Sequence, residues 1–446
     1  MINKIKKNKQ IIAWSMYDFA NQPFTTLIVT FIFSAFFTES LAQDNQQGTY
    51  LWSLGISITA ILVAFFSPLL GAIADSGGYR KAFLVFFTYL CIISTIILYF
   101  FEPNKSYVIF GADIDVSICA LFVFIIANIG FEFGTVFCNS YLSDLSTNKN
   151  IGRISGFAWG LGFVGGLISL AVSFLFLDLN VTENIRLINL LVAFWFIVFS
   201  FPTFLLVRDQ KPKKGMRQHF QQSLKSIVYS FQNISKHKSI VRFLVARLFY
   251  NDALITIFAF GGIYAAGTLN FSFNEILILG VVLNISACIG SFWFGFVEDK
   301  IGVKQMLNMT LWGLLLSTFL AFLAPFLTNY DHLITPKTLF WIAGIIIGLM
   351  QGPNQAGSRS LMARLTPEEK KNEFFGFYAF SGKATAFLGP LLFGLVTQKC
   401  QDGCMISQDF IIGGQQAGLI VVVFLFLFGI LIFRPLNLTN SSFDKK

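Results

Sequence analysis

The sequence predicts an all-α integral membrane protein of twelve transmembrane helices arranged as two pseudo-symmetric six-helix bundles, and three observations carry that expectation. Of its 446 residues 55% are hydrophobic and only 12% charged, with a mean hydropathy of +0.68, whereas soluble chains carry about 25% charge. The apolar residues are gathered into runs of about 20, the length that crosses a bilayer as a helix. A charged, glycine-rich turn also occurs twice, half a chain apart. Gly71 to Lys81 reads G-A-I-A-D-S-G-G-Y-R-K and Gly295 to Lys304 reads G-F-V-E-D-K-I-G-V-K, so Gly71, Asp75, Gly78 and Arg80 correspond to Gly295, Asp299, Gly302 and Lys304. Two glycines flanking an acid and a base suit a tight loop between closely approaching helices, with the acid capping a helix end or pairing with a cation.

The chain opens with Lys4, Lys6, Lys7 and Lys9 and enters an apolar stretch from Ile11 to about Phe37. That stretch is too long for the apolar region of a signal peptide and contains Asp18 and Asn21, so it is expected to be a retained first helix. Eleven further runs follow at about 51–74, 82–101, 116–141, 154–177, 187–207, 241–267, 276–297, 305–327, 338–358, 374–398 and 413–433. Strands of this length would have to close into a barrel, and the alternation a barrel requires is absent.

Placing Met1 in the cytoplasm puts every Lys and Arg on that side except Lys105, Arg186, Lys337 and Lys399 in outer loops and Arg247 and Lys383 within helices. Both termini and both glycine turns are therefore expected to be cytoplasmic, and the excess of bases is topological rather than a nucleic-acid footprint. The longest connection, 208–240, places Met216, Phe220, Leu224, Ile227, Val228, Phe231 and Ile234 at helical spacing, as an amphipathic helix lying on the membrane surface would. It joins an N-terminal bundle, 1–207, to a C-terminal bundle, 241–446. Gly156-Phe157 and Gly376-Phe377, each after a short charged loop, repeat at nearly the interval of the turns and support the duplication.

Cys91, Cys119, Cys138 and Cys288 lie in apolar runs and read as small buried thiols. Cys400 and Cys404 share a loop and can form a disulfide if that loop faces an oxidising compartment.

Three acids fall within helices, Asp18, Glu132 and Asp252, to set against Arg247 and Lys383. Each costs about 2.5 to 3.5 kcal/mol at a helix centre, so they must meet one another, polar groups or water. Polar neighbours gather at helical spacing: Tyr17 and Asn21, Asn128 and Glu132, then Tyr250, Asn251 and Asp252 in succession. Lined cavity and inter-helix glue are both open readings of these groups. Gln351, Pro353, Asn354 and Gln355 form a third cluster, expected to interrupt the tenth helix and open its backbone toward a cavity. No phosphate loop, no H-E-x-x-H and no clustered histidines are present, so no enzyme, cofactor or metal centre is expected.

The paired turns, the two halves and the long central loop resemble the major facilitator superfamily of secondary transporters over essentially the whole chain. That family's turn carries a base directly after the acid; Lys300 conforms and Ser76 does not. The strings Y-D-F-A-N-Q-P-F at Tyr17–Phe24, Y-N-D-A at Tyr250–Ala253, F-A-F-G-G-I-Y-A at Phe258–Ala265, S-R-S-L-M-A-R-L at Ser358–Leu365 and F-F-G-F-Y-A-F-S-G-K at Phe374–Lys383 resemble the bacterial relatives of the fungal vacuolar amino-acid effluxers. The resemblance implies a monomer working by alternating access in a bacterial inner membrane, with a small polar solute, such as an amino acid, in a central cavity; proton coupling is expected from the buried acids. A lipid or lysolipid flippase, and a sensor or scaffold built on a transporter fold, are the alternatives. Because burial disfavours a carboxylate's charge unless a cation compensates, one acid is expected to pair with Lys383 and the other to carry a proton. Lys383 shares a half with Asp252, which leaves Glu132 as the expected carrier.

Overall fold

The computed structural model describes residues 2–109, 112–178, 181–209, 237–329, 335–400, 404–407 and 410–437. It is helical apart from two short antiparallel hairpins, β1 (Ser106–Ile109) with β2 (Ala112–Asp115) and β3 (Cys404–Ser407) with β4 (Phe410–Ile412). The expected amphipathic helix falls on 210–236, outside the described residues.

The helices are α1 (Ile2–Pro23), α2 (Asn45–Gly77), α3 (Arg80–Leu98), α4 (Val116–Ser140), α5 (Ile151–Phe176), α6 (Thr182–Leu206), α7 (Lys238–Leu269), α8 (Phe273–Ile301), α9 (Val303–Leu323), α10 (Pro336–Leu365), α11 (Lys371–Lys383), α12 (Leu388–Lys399) and α13 (Gly414–Phe433). Among the described residues eleven helical stretches are long and apolar enough to cross a membrane, α11 and α12 counting together as one. The twelfth expected span is α10, 30 residues long but made more polar by Gln351 to Arg364. Local chemistry starts several of them. The Asp44 carboxylate accepts Gln47 N–H before α2, Ser272 and Glu275 form a reciprocal capping box on α8, and Thr335 accepts Thr338 N–H ahead of Pro336 at the first position of α10.

Beyond Pro23, α1 continues as a π-helical stretch, Phe24–Phe31. Proline has no N–H to return to the carbonyl four residues back. That carbonyl, on Phe19, instead accepts the indole N–H of Trp195 at 3.1 Å. Pro353 acts differently. Contrary to the expectation of a broken tenth helix, α10 runs through it, and the Leu349 carbonyl it releases lies against Gly290 of α8, where a side chain would collide. The break occurs one helix later, between α11 and α12.

Two compact units emerge. The first holds 1–147, 161–229 and 368–379; the second holds 148–160, 230–367 and 380–446. Within the first, α1 packs on α6, α2 and α3 on α4, and α3 on α6; within the second, α7 packs on α13, α8 and α9 on α10, and α9 on α13. These are the same four pairings in each half. Each unit also contains the opening stretch of a helix whose remainder belongs to the other: α11 begins in the first and α5 in the second.

Three of the bases placed in outer loops have acidic partners. Glu102 binds both Lys105 and Arg186, and Glu275 binds Lys337. Lys105 first, then Arg186, holds the Glu102 carboxyl below its ordinary range. Cys400 and Cys404 are joined as a disulfide, and Cys400 packs with Ile412 and Ala417 in a small core.

Candidate functional site

The two glycine turns build the same device twice. In the first unit Asp75 accepts the Asn372 and Glu373 backbone N–H groups at 3.1 and 2.8 Å and the Asn372 side-chain amide at 2.7 Å, capping the start of α11. In the second, Asp299 accepts Gly152 N–H at 2.9 Å and Arg153 Nε at 2.6 Å, capping the start of α5. A carboxylate at a helix N-terminus satisfies orphan amides and the positive end of the dipole. The glycines make the approach possible: a β-carbon at Gly71 would strike the Asn372 carbonyl, and one at Gly376 the Ser67 carbonyl. In the second unit a β-carbon at Gly295 would lie 3.0 Å from Gly152 O, and one at Gly156 would strike the Ser291 carbonyl. Gly78 and Gly302 end α2 and α8 with φ of 70° and 90°, where a side chain would be strained.

The bases of the turns diverge. Arg80 is buried, pairs with Asp144 at 2.8 Å and Asp209 at 3.2 Å, and lies 3.7 Å over the Tyr141 ring. Ser76, where the family pattern has a base, turns back to Ile73 O at 3.1 Å. Lys304 makes no ion pair among the described residues. Beside the first turn lies a polar cavity of about 480 Å³ lined by Asp75, Arg80, Asp144, Asp209, Lys371 and their neighbours.

The intramembrane residues are brought together most fully in the second unit. Helix α11 stops at Lys383 and α12 starts at Leu388; the turn between them keeps bonds from Ala384, Ala386 and Leu388 N–H but leaves other carbonyls and amides at the two helix ends without helical partners. Consecutive residues of α7 meet that need with matched chemistry. The Asn251 amide donates to Gly382 O at 3.0 Å, and the Asp252 carboxylate accepts Gly389 N–H at 2.9 Å. Arg247 donates to Ser381 Oγ at 3.1 Å, and Gln355 donates to Asn251 Oδ1 at 3.3 Å. Lys383 sits half-buried at the lip of the gap. The expected pairing of Asp252 with Lys383 is not formed: Asp252 meets a backbone amide instead, and its Oδ1 is buried without a hydrogen bond.

The other residues are placed as follows. Tyr250 shares a hydrogen bond with Ser358 at 2.8 Å. Asn354 turns away from the gap to donate to Thr310 Oγ1 at 3.2 Å. In the first unit Tyr17 donates to Thr88, whose own hydroxyl proton goes to Leu84 O. Asn21 and Asn128 are buried, Asp18 and Glu132 half-buried, and Gly162 of α5 comes close to the Asp18 carbonyl.

Three buried charged residues escaped the sequence reading. Arg359 is 2% exposed and donates to Ser155 Oγ and O at 3.0 and 2.9 Å. Glu298 is 1% exposed and accepts from Ser360 and Arg364 at 2.6 and 3.2 Å. Glu373, also buried, reaches Lys370 at 3.6 Å. The string Ser358–Leu365 is thus consumed by inter-helix bonds, Ser358 to α7, Arg359 to α5, Ser360 and Arg364 to α8.

This fold is that of the major facilitator superfamily transporters. The chain is similar to the proton:xylose symporter XylE with a TM-score of 0.71 and 12% identity, covering 96% of this chain and 95% of that one. A bacterial homologue of the iron transporter ferroportin, in its outward-facing state, matches with a TM-score of 0.69 and 11% identity over 96% and 98% of the two chains. Within that class the chain belongs to the family described as "Vacuole effluxer Atg22 like", which matches residues 49–445. It is 28% identical to the MFS-type transporter YxiO of Bacillus subtilis (strain 168) over 402 residues, 87% of this chain and 89% of the relative. It is 23% identical to autophagy-related protein 22 of Vanderwaltozyma polyspora over 467 residues, 90% and 88% of the two chains.

Proposed function

We propose that this member of the effluxer family is a secondary active transporter that moves a small zwitterionic solute, of the amino-acid class, by alternating access coupled to protons. The observation that carries the reading is the capped gap between α11 and α12: non-helical backbone at membrane depth is tolerated where it lines a cavity, and transporter sites use such gaps. Lys383 at its lip is the group for a carboxylate, Glu132 of α4 the group for an amine, and Tyr17, Asp18, Asn21, Asn128, Tyr250, Asn251, Asn354 and Gln355 supply polar lining or its support. The working form is a monomer in a bacterial cell membrane with both termini and both glycine turns cytoplasmic, as the distribution of Lys and Arg favours. Purified protein in proteoliposomes, screened for flux of amino acids, peptides, nucleosides and lysolipids with and without a pH gradient, tests this. Amino-acid flux that Lys383→Ala lowers at least tenfold supports it; lysolipid movement alone, or no flux of any class, overturns it.

The caps give a second expectation. Asp75→Asn and Asp299→Asn each weaken a helix cap worth about 1 kcal/mol and remove a charge from the dipole. Turnover should fall about five- to tenfold while equilibrium solute affinity stays within twofold, because the caps lie away from the gap. Stopped-flow exchange beside equilibrium binding reads both quantities, and unchanged turnover in both variants would sink the assignment.

A further inference from the structure

We infer that Asp252, not Glu132, is the proton-binding group of the transport cycle, an assignment that rests on the transporter reading above. Asp252 is 2% exposed. One carboxylate oxygen caps the first turn of α12 through Gly389 N–H, and the other is buried with no hydrogen bond. A carboxylate that only caps a helix needs neither that burial nor a second, unused oxygen.

The surroundings are built around that oxygen. Gly389 has no side chain, and at the point its β-carbon would occupy, Asp252 Oδ1 and Asp252 O lie 3.1 Å away with Thr256 Oγ1 closer still. Thr256 donates to Asp252 O at 2.8 Å, so its hydroxyl proton is committed to the main chain and not to the carboxyl group. Gly389 N–H is thus the one donor on the carboxyl group among the described residues, and its second oxygen has nothing to stabilise a charge but can carry a proton.

The charged groups on the elements around it do not neutralise it. On α7 itself Arg247 donates to Ser381, on α11 Lys383 makes no bond to Asp252, and on α10 Arg359 and Arg364 are directed to Ser155 and to Glu298. Lys337 of α10 pairs with Glu275 of α8, the α8 acids Glu298 and Asp299 are paired with Arg364 and Arg153, and Lys300 stands exposed at the end of α8. Lys399 is at the far end of α12, and α13 carries no titratable side chain. No cation pairs with Asp252 among the described residues, so it can lose its proton only when the gap between α11 and α12 opens to water. That requirement ties protonation to the conformational cycle.

Dicyclohexylcarbodiimide, which labels protonated carboxyls in apolar surroundings, tests this on the full-length protein in membranes with no solute needed. Peptide mass spectrometry should find the adduct on Asp252, its rate falling at least tenfold from pH 5.5 to 8.5 and unaffected by replacing K⁺ with Na⁺. Gly389→Ala, which pushes into the Asp252–Thr256 contact, should change that rate at least threefold, whereas Glu132→Gln should leave it unchanged. Labelling at Glu132 with none at Asp252, no labelling of Asp252 at any pH, or protection by Na⁺ would each overturn the assignment. If flux is absent but Asp252 is labelled as described, the transport reading fails and the proton site stands.

Discussion

Gly156→Ala and Gly376→Ala should each lower the thermal unfolding midpoint of the detergent-purified protein by several degrees, with Gly394→Ala unchanged or slightly higher. The reason is where the new methyl group lands. At Gly376 it meets the Ser67 carbonyl and lies 2.6 Å from Pro68 Cα; at Gly156 it meets the Ser291 carbonyl and lies 3.1 Å from Gly295 Cα. These are backbone atoms, which cannot swing aside, so the helices must separate. Overpacking of this kind costs about 1 to 3 kcal/mol, more when backbone has to move. The two sites share no partner, so their effects should add. At Gly394 nothing lies within 4 Å, and alanine gains about 0.5 to 1 kcal/mol of helix preference there. Tryptophan fluorescence during heating reads all three variants. Equal midpoints for Gly376→Ala and Gly394→Ala would mean that the close approach of α11 to α2 contributes nothing to stability.

The second large effect is expected at the buried pair of Glu298 and Arg364. Arg364→Met leaves the Glu298 carboxylate, 1% exposed, with the Ser360 hydroxyl as its one remaining hydrogen-bond donor among the described residues, and removes the bond from Arg364 to Asn148 O at 3.1 Å. Breaking a buried ion pair from one side costs about 3 to 5 kcal/mol because the remaining charge stays buried. Glu298→Gln keeps the volume and one acceptor, leaves an arginine whose side chain is 13% exposed, and should cost about 1 to 3 kcal/mol. In the double variant the losses should not add, since no stranded carboxylate is left. Unfolding in mixed micelles by rising dodecyl sulfate measures the four-way cycle. Additive losses would show that the two side chains act independently.

The sequence made the symmetry legible because the turns use the same residues for the same geometric reasons: glycine where φ is positive or backbones touch, aspartate where helix amides need a cap. It could not say which helix each aspartate caps, since those partners are remote along the chain. The buried ion pair was hidden by boundaries. Apolar content fades at about 297 and 358, yet α8 continues to Ile301 and α10 to Leu365, so Glu298, Arg359 and Arg364 were counted with the loops although all three are buried or nearly so. The broken helix was missed for the opposite reason. Proline at 353 signals a break but is absorbed by packing against Gly290, while the local signals for the real break, Gly382, Gly389 and Pro390, lie within an apolar run that reads as one span. Asn251 and Asp252, about a hundred and thirty residues earlier, supply a donor for one exposed end and an acceptor for the other. Tertiary partners thus complete a break that Gly382, Gly389 and Pro390 begin.

The division of α5 and α11 between the units has a consequence for synthesis. Asp75 leaves the ribosome nearly three hundred residues before Asn372, whose amide it will bind. Until then the first unit lacks the stretch 368–379, and Asp75, Gly71 and the Ser67 carbonyl have nothing to close upon. The N-terminal half therefore waits in the bilayer with an unfinished seam, and the Gly156 seam of α5 is likewise incomplete until α8 arrives with Ser291 and Asp299. A chain stopped after the central connection would therefore carry Asp75 without the helix amides it caps.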